Sequence, residues 1–300
     1  MSGCGSCTGR SNSIMFKDMP LELINKTKKH PCYNKDAYDY ARMHIPVAPK
    51  CNVQCNYCNR KYDCQNESRP GVTSGIMTPK EAFNYYVKMK KEVDKLTVVG
   101  VAGPGDALAN FEEVKKTVEM IKDYDKETIF CLSTNGLSLP DYMKQIVDLG
   151  ISHVTITINA IDPFVAARIY KYIYYRGKRY TGFQAGRIII KNQLDGLRFL
   201  SSNNILCKVN IVYIKNENDN HIEDIIRKVK EYGACMTNIM PLIPVENTKF
   251  ANKPIISPKE ILLVRKKSEA HLTQMYHCKQ CRADAVGRLD KKCVYKKDIG

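Results

Sequence analysis

The 300-residue sequence predicts an α/β protein in which parallel strands form a barrel and helices cover its outside. Two observations carry this prediction. Short apolar runs rich in Val, Ile and Leu alternate with amphipathic helical stretches, the pattern of strand–helix units. Glycine and polar residues recur just after those runs, at the strand C-termini where barrel sites are built. The length suits a single domain of this class.

Taken in order, residues 1–29 read as a flexible N-terminal segment containing Cys4 and Cys7 in a Gly/Ser context. His30-Pro31-Cys32-Tyr33 follows, then a helical-looking stretch from Asp36 to Met43 and a first strand from His44 to Pro49. A long loop runs from Cys51 to Thr78 and contains Cys64 and the turn-rich Glu67 to Gly71. Thr78-Pro79-Lys80-Glu81 is a capping box with proline at the first helical position. It opens a helix whose apolar face carries Ala82, Phe83, Tyr86, Val87 and Val93. Strands are then expected at Leu96–Ala102, Thr128–Leu132, His153–Ile158, Leu206–Val212 and Thr237–Met240, separated by helices. Tyr- and Arg-rich residues from Arg168 to Tyr180 interrupt this rhythm. Ser257-Pro258-Lys259-Glu260 caps a last helix, and the tail carries Cys278 and Cys281. The barrel domain is expected over residues 30–288, with residues 289–300 as a tail.

Composition narrows the class. No apolar run approaches the ~20 residues of a membrane span, and the N-terminus lacks the apolar core of a signal peptide. A cytoplasmic protein without membrane contact is expected, in which thirteen cysteines point to metal or redox chemistry rather than disulfides. The net charge of +16 is spread over lysines without interleaved aromatics, which favours solvated helix faces over nucleic-acid binding.

The densest chemistry lies in Cys51-Asn-Val-Gln-Cys55-Asn-Tyr-Cys58, spaced C-x3-C-x2-C. Three thiolates can hold three irons of a 4Fe–4S cluster and leave the fourth open, whereas a structural zinc site would want four ligands. A zinc or redox-thiol site is the alternative. Gly103-Pro104-Gly105-Asp106 follows the second expected strand; Ser133, Thr134, Asn135 and Asn159 follow the next two, and each also suits a turn or cap. Cys32, Cys64, Cys131, Cys278, Cys281 and a histidine such as His44 could hold further clusters, while Cys207 and Cys235 read as core residues. Cys293 falls into no such arrangement.

The triplet resembles the signature of the radical S-adenosylmethionine (SAM) superfamily. Longer stretches, among them Cys55-Asn-Tyr-Cys-Asn-Arg-Lys-Tyr-Asp-Cys64, Ala102 to Asn110 and Cys278 to Ala285, resemble the NifB family of nitrogenase cofactor biosynthesis within it. The resemblance covers about residues 30–288, and the chain looks like the stand-alone archaeal-type form without a NifX-like domain. It implies a partial (β/α)6 TIM-like barrel with N- and C-terminal extensions that carry cluster ligands. It also implies the fusion of two 4Fe–4S clusters, with a SAM-derived carbide and an added sulfur, into an eight-iron cofactor precursor. Cys51, Cys55 and Cys58 would hold the SAM cluster, and Gly103, Gly105, Asp106, Ser133, Thr134, Asn135 and Asn159 would bind SAM. Two substrate clusters, making three 4Fe–4S clusters in all, would sit on His44, Cys64 and Cys131, and on Cys32, Cys278 and Cys281. Glu67, Ser68 and Arg69 would relay protons or orient the methylated cluster; Arg69-Pro70-Gly71 is otherwise a rigid turn. Implied partners are a cluster donor, a cofactor-accepting carrier or scaffold of nitrogenase assembly, and an electron donor such as a ferredoxin. Another multi-cluster radical SAM enzyme, resembling the pterin-precursor cyclase, and a non-catalytic cluster carrier are the competing possibilities.

Overall fold

A computed structural model describes residues 19–290, so Cys4, Cys7 and Cys293 lie outside the described residues. In chain order the elements are α1 (Leu21–Lys28), β1 (Ala41–His44), β2 (Val53–Cys55), α2 (Pro79–Glu92), β3 (Leu96–Val101) and α3 (Phe111–Tyr124). Next come β4 (Ile129–Thr134), α4 (Leu139–Asp148), β5 (His153–Thr157), α5 (Pro163–Ile169), β6 (Tyr170–Tyr175) and β7 (Lys178–Tyr180). The chain continues with α6 (Gly182–Ser202), β8 (Leu206–Tyr213), α7 (Ile222–Glu231), β9 (Met236–Pro241), α8 (Pro258–Ser268) and β10 (Val286–Gly287).

The central sheet runs β10-β1-β3-β4-β5-β8-β9 and curls into a half-barrel. Six strands are parallel, as the strand–helix alternation predicts; β10 adds an antiparallel seventh beside β1. The faces of these strands differ. Val99, Phe130, Leu132, Val154, Ile156, Val209 and Ile211 belong to the core packed beneath the helices, where each buried aliphatic side chain contributes about 1.5–3 kcal/mol. The alternate residues line the barrel interior in register. One row is His44, Gly100, Cys131, His153 and Leu206; the next is Ser133, Thr155, Lys208 and Met236; a third is Thr157, Asn210 and Asn238. Polar groups on rigid strands therefore form the inner wall.

Three sequence expectations are corrected. The first strand is Ala41–His44, of which Ala41–Met43 falls in the stretch expected to be helical, and Ile45–Lys50 is irregular. Pro46 and Pro49 explain this, because proline cannot donate to a central ladder. β4 extends to Thr134, so Cys131 lies mid-strand and Ser133 and Thr134 end the strand instead of following it. The Arg168–Tyr180 interruption forms the hairpin β6–β7, which turns at Arg176 and Gly177, both with positive φ. Its strand β6 pairs with β2 inside the cysteine loop.

α1 and Tyr33 close the strand N-terminal end, where Leu23 and Tyr33 pack with Leu206, Met236 and Met275. No helix among the described residues is long and apolar enough to cross a membrane.

Candidate iron–sulfur site

The cysteine triplet is splinted by antiparallel pairing. Val53, Gln54 and Cys55 face Ile173, Tyr172 and Tyr170, and the Asn56 amide donates to the Ile169 carbonyl at 2.8 Å. The Gln54 amide donates to the carbonyls of Cys55 (3.1 Å) and Cys58 (2.8 Å), which fixes the turn between those thiols. All three thiols are free. Asn135 Nδ2 reaches Cys51 Sγ at 3.6 Å. Burial pushes the Cys51 thiol up to about 12, with Asp106 raising it further and Arg60 opposing. Burial also raises Cys58, again opposed by Arg60. Iron must therefore displace protons here, and Arg60 and Asn135 stand ready to stabilise the resulting thiolates. This donor set fits a cluster with three protein ligands. Among the described residues, no three His, Cys, Asp or Glu groups converge on the point one metal ion would occupy. Thiolates of a cubane each bind a different iron and need no such convergence.

The Gly103–Asp106 turn locks onto the irregular segment leading to the triplet. The Gly105 amide donates to the Ala48 carbonyl at 2.6 Å and the Asp106 amide to the Lys50 carbonyl at 2.8 Å. A Cβ on Gly105 would lie 2.2 Å from the Lys50 oxygen, so only glycine allows this approach. The Asp106 carboxylate accepts from the amides of Leu108, Ala109 and Asn135 and from the Thr134 hydroxyl. Asn159 donates to Tyr57 Oη at 2.7 Å and accepts from the Val212 amide at 2.8 Å. Asp106, Thr134 and Asn159 thus brace the loops around the triplet.

A cavity of about 70 Å³ lies inside the half-barrel and collects Cys32, His44, Glu67, Cys131, Ser133, Cys278 and Cys281. Five of the six candidate ligands outside the triplet meet there. Cys64 does not line it; burial raises its thiol, as do Cys58, Glu67 and Cys51. Cys131 is pushed up to about 12 by burial and by nearby Cys32. Burial, with Arg42 nearby, lowers His44 to about 4, so its ring is neutral at physiological pH. Its Nδ1 is 3.2 Å from the Arg282 carbonyl, which can only accept, so Nδ1 carries the proton and Nε2 presents a lone pair. Gly100 makes room between the two ligands: a Cβ there would lie 2.9 Å from Cys131 Sγ and 3.3 Å from His44 Cδ2.

Of Glu67, Ser68 and Arg69, only Glu67 lines the cavity. Burial drives its carboxyl well above the usual range, with Asp106 adding to the rise and a Ser133 hydrogen bond opposing it. The Ser68 hydroxyl donates to the Ala102 carbonyl at 2.9 Å, and Arg69 is exposed. Lys208, Asn210, Asn238, Thr155, His30 and Gln280 also line the cavity. Sequence reasoning passed over them because it looked after strand ends. The available signal was the period-2 polar pattern within β5, β8 and β9.

The radical SAM superfamily profile matches residues 45–229. The chain belongs to the radical SAM superfamily. Membership implies a 4Fe–4S cluster and SAM, and the candidate triplet Cys51, Cys55 and Cys58 lies within the matched residues. The chain is 47% identical over 293 residues to the FeMo cofactor biosynthesis protein NifB of Bradyrhizobium diazoefficiens and 43% identical over 296 residues to that of Klebsiella pneumoniae. Each alignment spans 96% of this chain but only 58% and 63% of the relatives' lengths. The radical SAM fold is also shared with SAM-bound SuiB of Streptococcus suis (TM-score 0.58, 11% identity, 85% of this chain and 53% of that one). Methylornithine synthase PylB is a second structural neighbour (TM-score 0.52, 13% identity, 88% and 81%).

Proposed function

We propose that this chain is a carbide-forming radical SAM enzyme of nitrogenase cofactor biosynthesis. In this reading it joins two 4Fe–4S substrate clusters, a SAM-derived carbon and one added sulfur into an eight-iron precursor. The observation that carries it is the cavity in which Cys32, His44, Cys131, Cys278 and Cys281 meet, apart from the triplet. A radical SAM enzyme with a single cluster has no need of a second set of soft ligands. The NifB relatives named above support the pathway.

When bound, the triplet's cluster supplies the electron for reductive cleavage of SAM. The chain's own residues do the rest. Cys51, Cys55 and Cys58 hold that cluster, and the Gly103–Asp106 turn keeps their loop in place. His44, Cys64 and Cys131 hold one substrate cluster; Cys32, Cys278 and Cys281 hold the other. Three-ligand sites, one with an imidazole, allow a product to leave. Glu67, whose carboxyl burial pushes well above the usual range, stands at the cavity wall to exchange a proton. A cluster donor, an acceptor carrier or scaffold, and a reductant such as a ferredoxin complete the reaction.

Anaerobic reconstitution followed by iron counting and incubation with SAM and dithionite tests this. About twelve irons per chain, with both S-adenosylhomocysteine and 5′-deoxyadenosine formed, is the expected result. About four irons, with 5′-deoxyadenosine alone, would overturn it.

A further inference from the structure

Lys208 lines the cavity, and among the described residues no carboxylate balances its charge. It sits mid-strand in β8, only 6% exposed, in the inward row with Ser133 and Thr155. Its Nζ reaches the Cys32 carbonyl at 3.4 Å and Met275 Sδ at 3.8 Å, and lies 4.6 Å from the centre of the Tyr33 ring. Among the described residues it forms no ion pair with a carboxylate. The carboxyl that does line the cavity, Glu67, is not among the hydrogen-bond partners of Lys208. A buried ammonium with a distant carbonyl and a thioether for company is expensive, unless an anion joins it.

A second group points the same way. His30 is fully buried and lines the cavity, and its Nδ1 accepts from the Cys32 amide at 3.2 Å. The neutral ring must then carry its proton on Nε2, which has no partner. A cation beside the Cys32 carbonyl and an unspent N–H donor therefore belong to the lining of the same cavity.

We infer that Lys208, with His30 beside it, is the charge partner of an anionic iron–sulfur guest bound between Cys32 and Cys278, and positions that guest on rigid β8. A thiolate-ligated cluster is the guest whose chemistry matches, because each thiolate brings negative charge into a cavity whose lining cations are Lys208 and Lys279. The inference rests on the function proposed above.

The test compares reconstituted wild type, Lys208→Met and Lys208→Arg under chelator challenge, following iron retained per chain, the SAM-dependent change in the electron paramagnetic resonance signal, and midpoint potentials. Lys208→Met is expected to release the non-triplet iron at least about tenfold faster and to shift the remaining cavity signal to more negative potential. It should keep the SAM response of the triplet cluster, and Lys208→Arg should restore retention. Equal retention and potential in wild type and Lys208→Met would overturn the proposal, as would a folded Lys208→Arg that loses iron like the methionine variant. If Lys208→Met also loses the SAM response, Lys208→Gln decides by the same iron count. A wild type that holds only the triplet's iron would overturn the multi-cluster function, and this inference with it; iron retained regardless of residue 208 would overturn the inference alone.

Discussion

At the residue scale, two glycines do opposite work. Gly105 is a packing necessity, since a Cβ would meet backbone atoms of Lys50 and Pro49 that cannot rotate aside. Gly105→Ala should therefore cost about 3 kcal/mol, read as a lower melting temperature of the apo chain. Gly100 instead reserves space between two candidate ligands. Gly100→Ala should change stability by no more than about 1 kcal/mol, because the Cys131 and His44 side chains can turn away. It should nevertheless lower the iron retained outside the triplet, and an unchanged iron count would show that the gap has no such role. The cysteines of both sites were legible by type and spacing. Lys208 was not, because a lone lysine in an apolar run gives its meaning only once its face is known.

At the scale of elements, α2 and α3 are joined by a polar clasp. Tyr86 Oη donates to Asp125 Oδ2 at 2.7 Å, and Lys90 Nζ lies 2.8 Å from the same oxygen. Burial alone would raise the Asp125 carboxyl, but Lys90, Tyr86 and the Glu127 amide outweigh it and hold it at about 2. The folded value lies below the ordinary 3.8, so this contribution is complete above pH 3.8 and is lost as pH falls towards 2. Asp125→Asn should cost about 1 kcal/mol at neutral pH, allowing for solvent screening, and the difference from wild type should vanish in melts near pH 2. The helix itself was readable in advance: Thr78 accepts from the Glu81 amide at 3.3 Å, as its capping box predicts. The β6–β7 hairpin was not, because its partner β2 lies over a hundred positions away.

At the scale of the whole molecule, the segment from Thr273 to Gly287 straps the two edges of the half-barrel together. It begins on β9, where the Met275 amide donates to the Thr237 carbonyl at 2.8 Å, and ends as β10 on β1. On the way it carries Cys278 and Cys281 over the cavity. Buried Arg42 anchors its far end, donating to the Gly287 carbonyl and to Cys281 Sγ at 2.8 Å. Arg42→Met should destabilise this end by about 2–3 kcal/mol, seen as faster amide exchange across residues 278–287. The same variant should lose iron outside the triplet while keeping the triplet's cluster. Protection unchanged across the strap would refute the anchoring role.

The sequence by itself determined the alternation of strands and helices after the cysteine loop, the two capped helices and which soft side chains are candidate ligands, because periodicity, caps and Cys spacing are local properties of the chain. Only the tertiary structure decided which ligands share a cavity and which polar residues face it. A strand's alternation says that two faces differ, but not which faces inward, and here register across β1, β3, β4, β5 and β8 set His44, Gly100 and Cys131 in one row. The joining of Cys32 to Cys278 and Cys281 likewise depends on a strap that closes the sheet from its far edge, a contact no local pattern encodes.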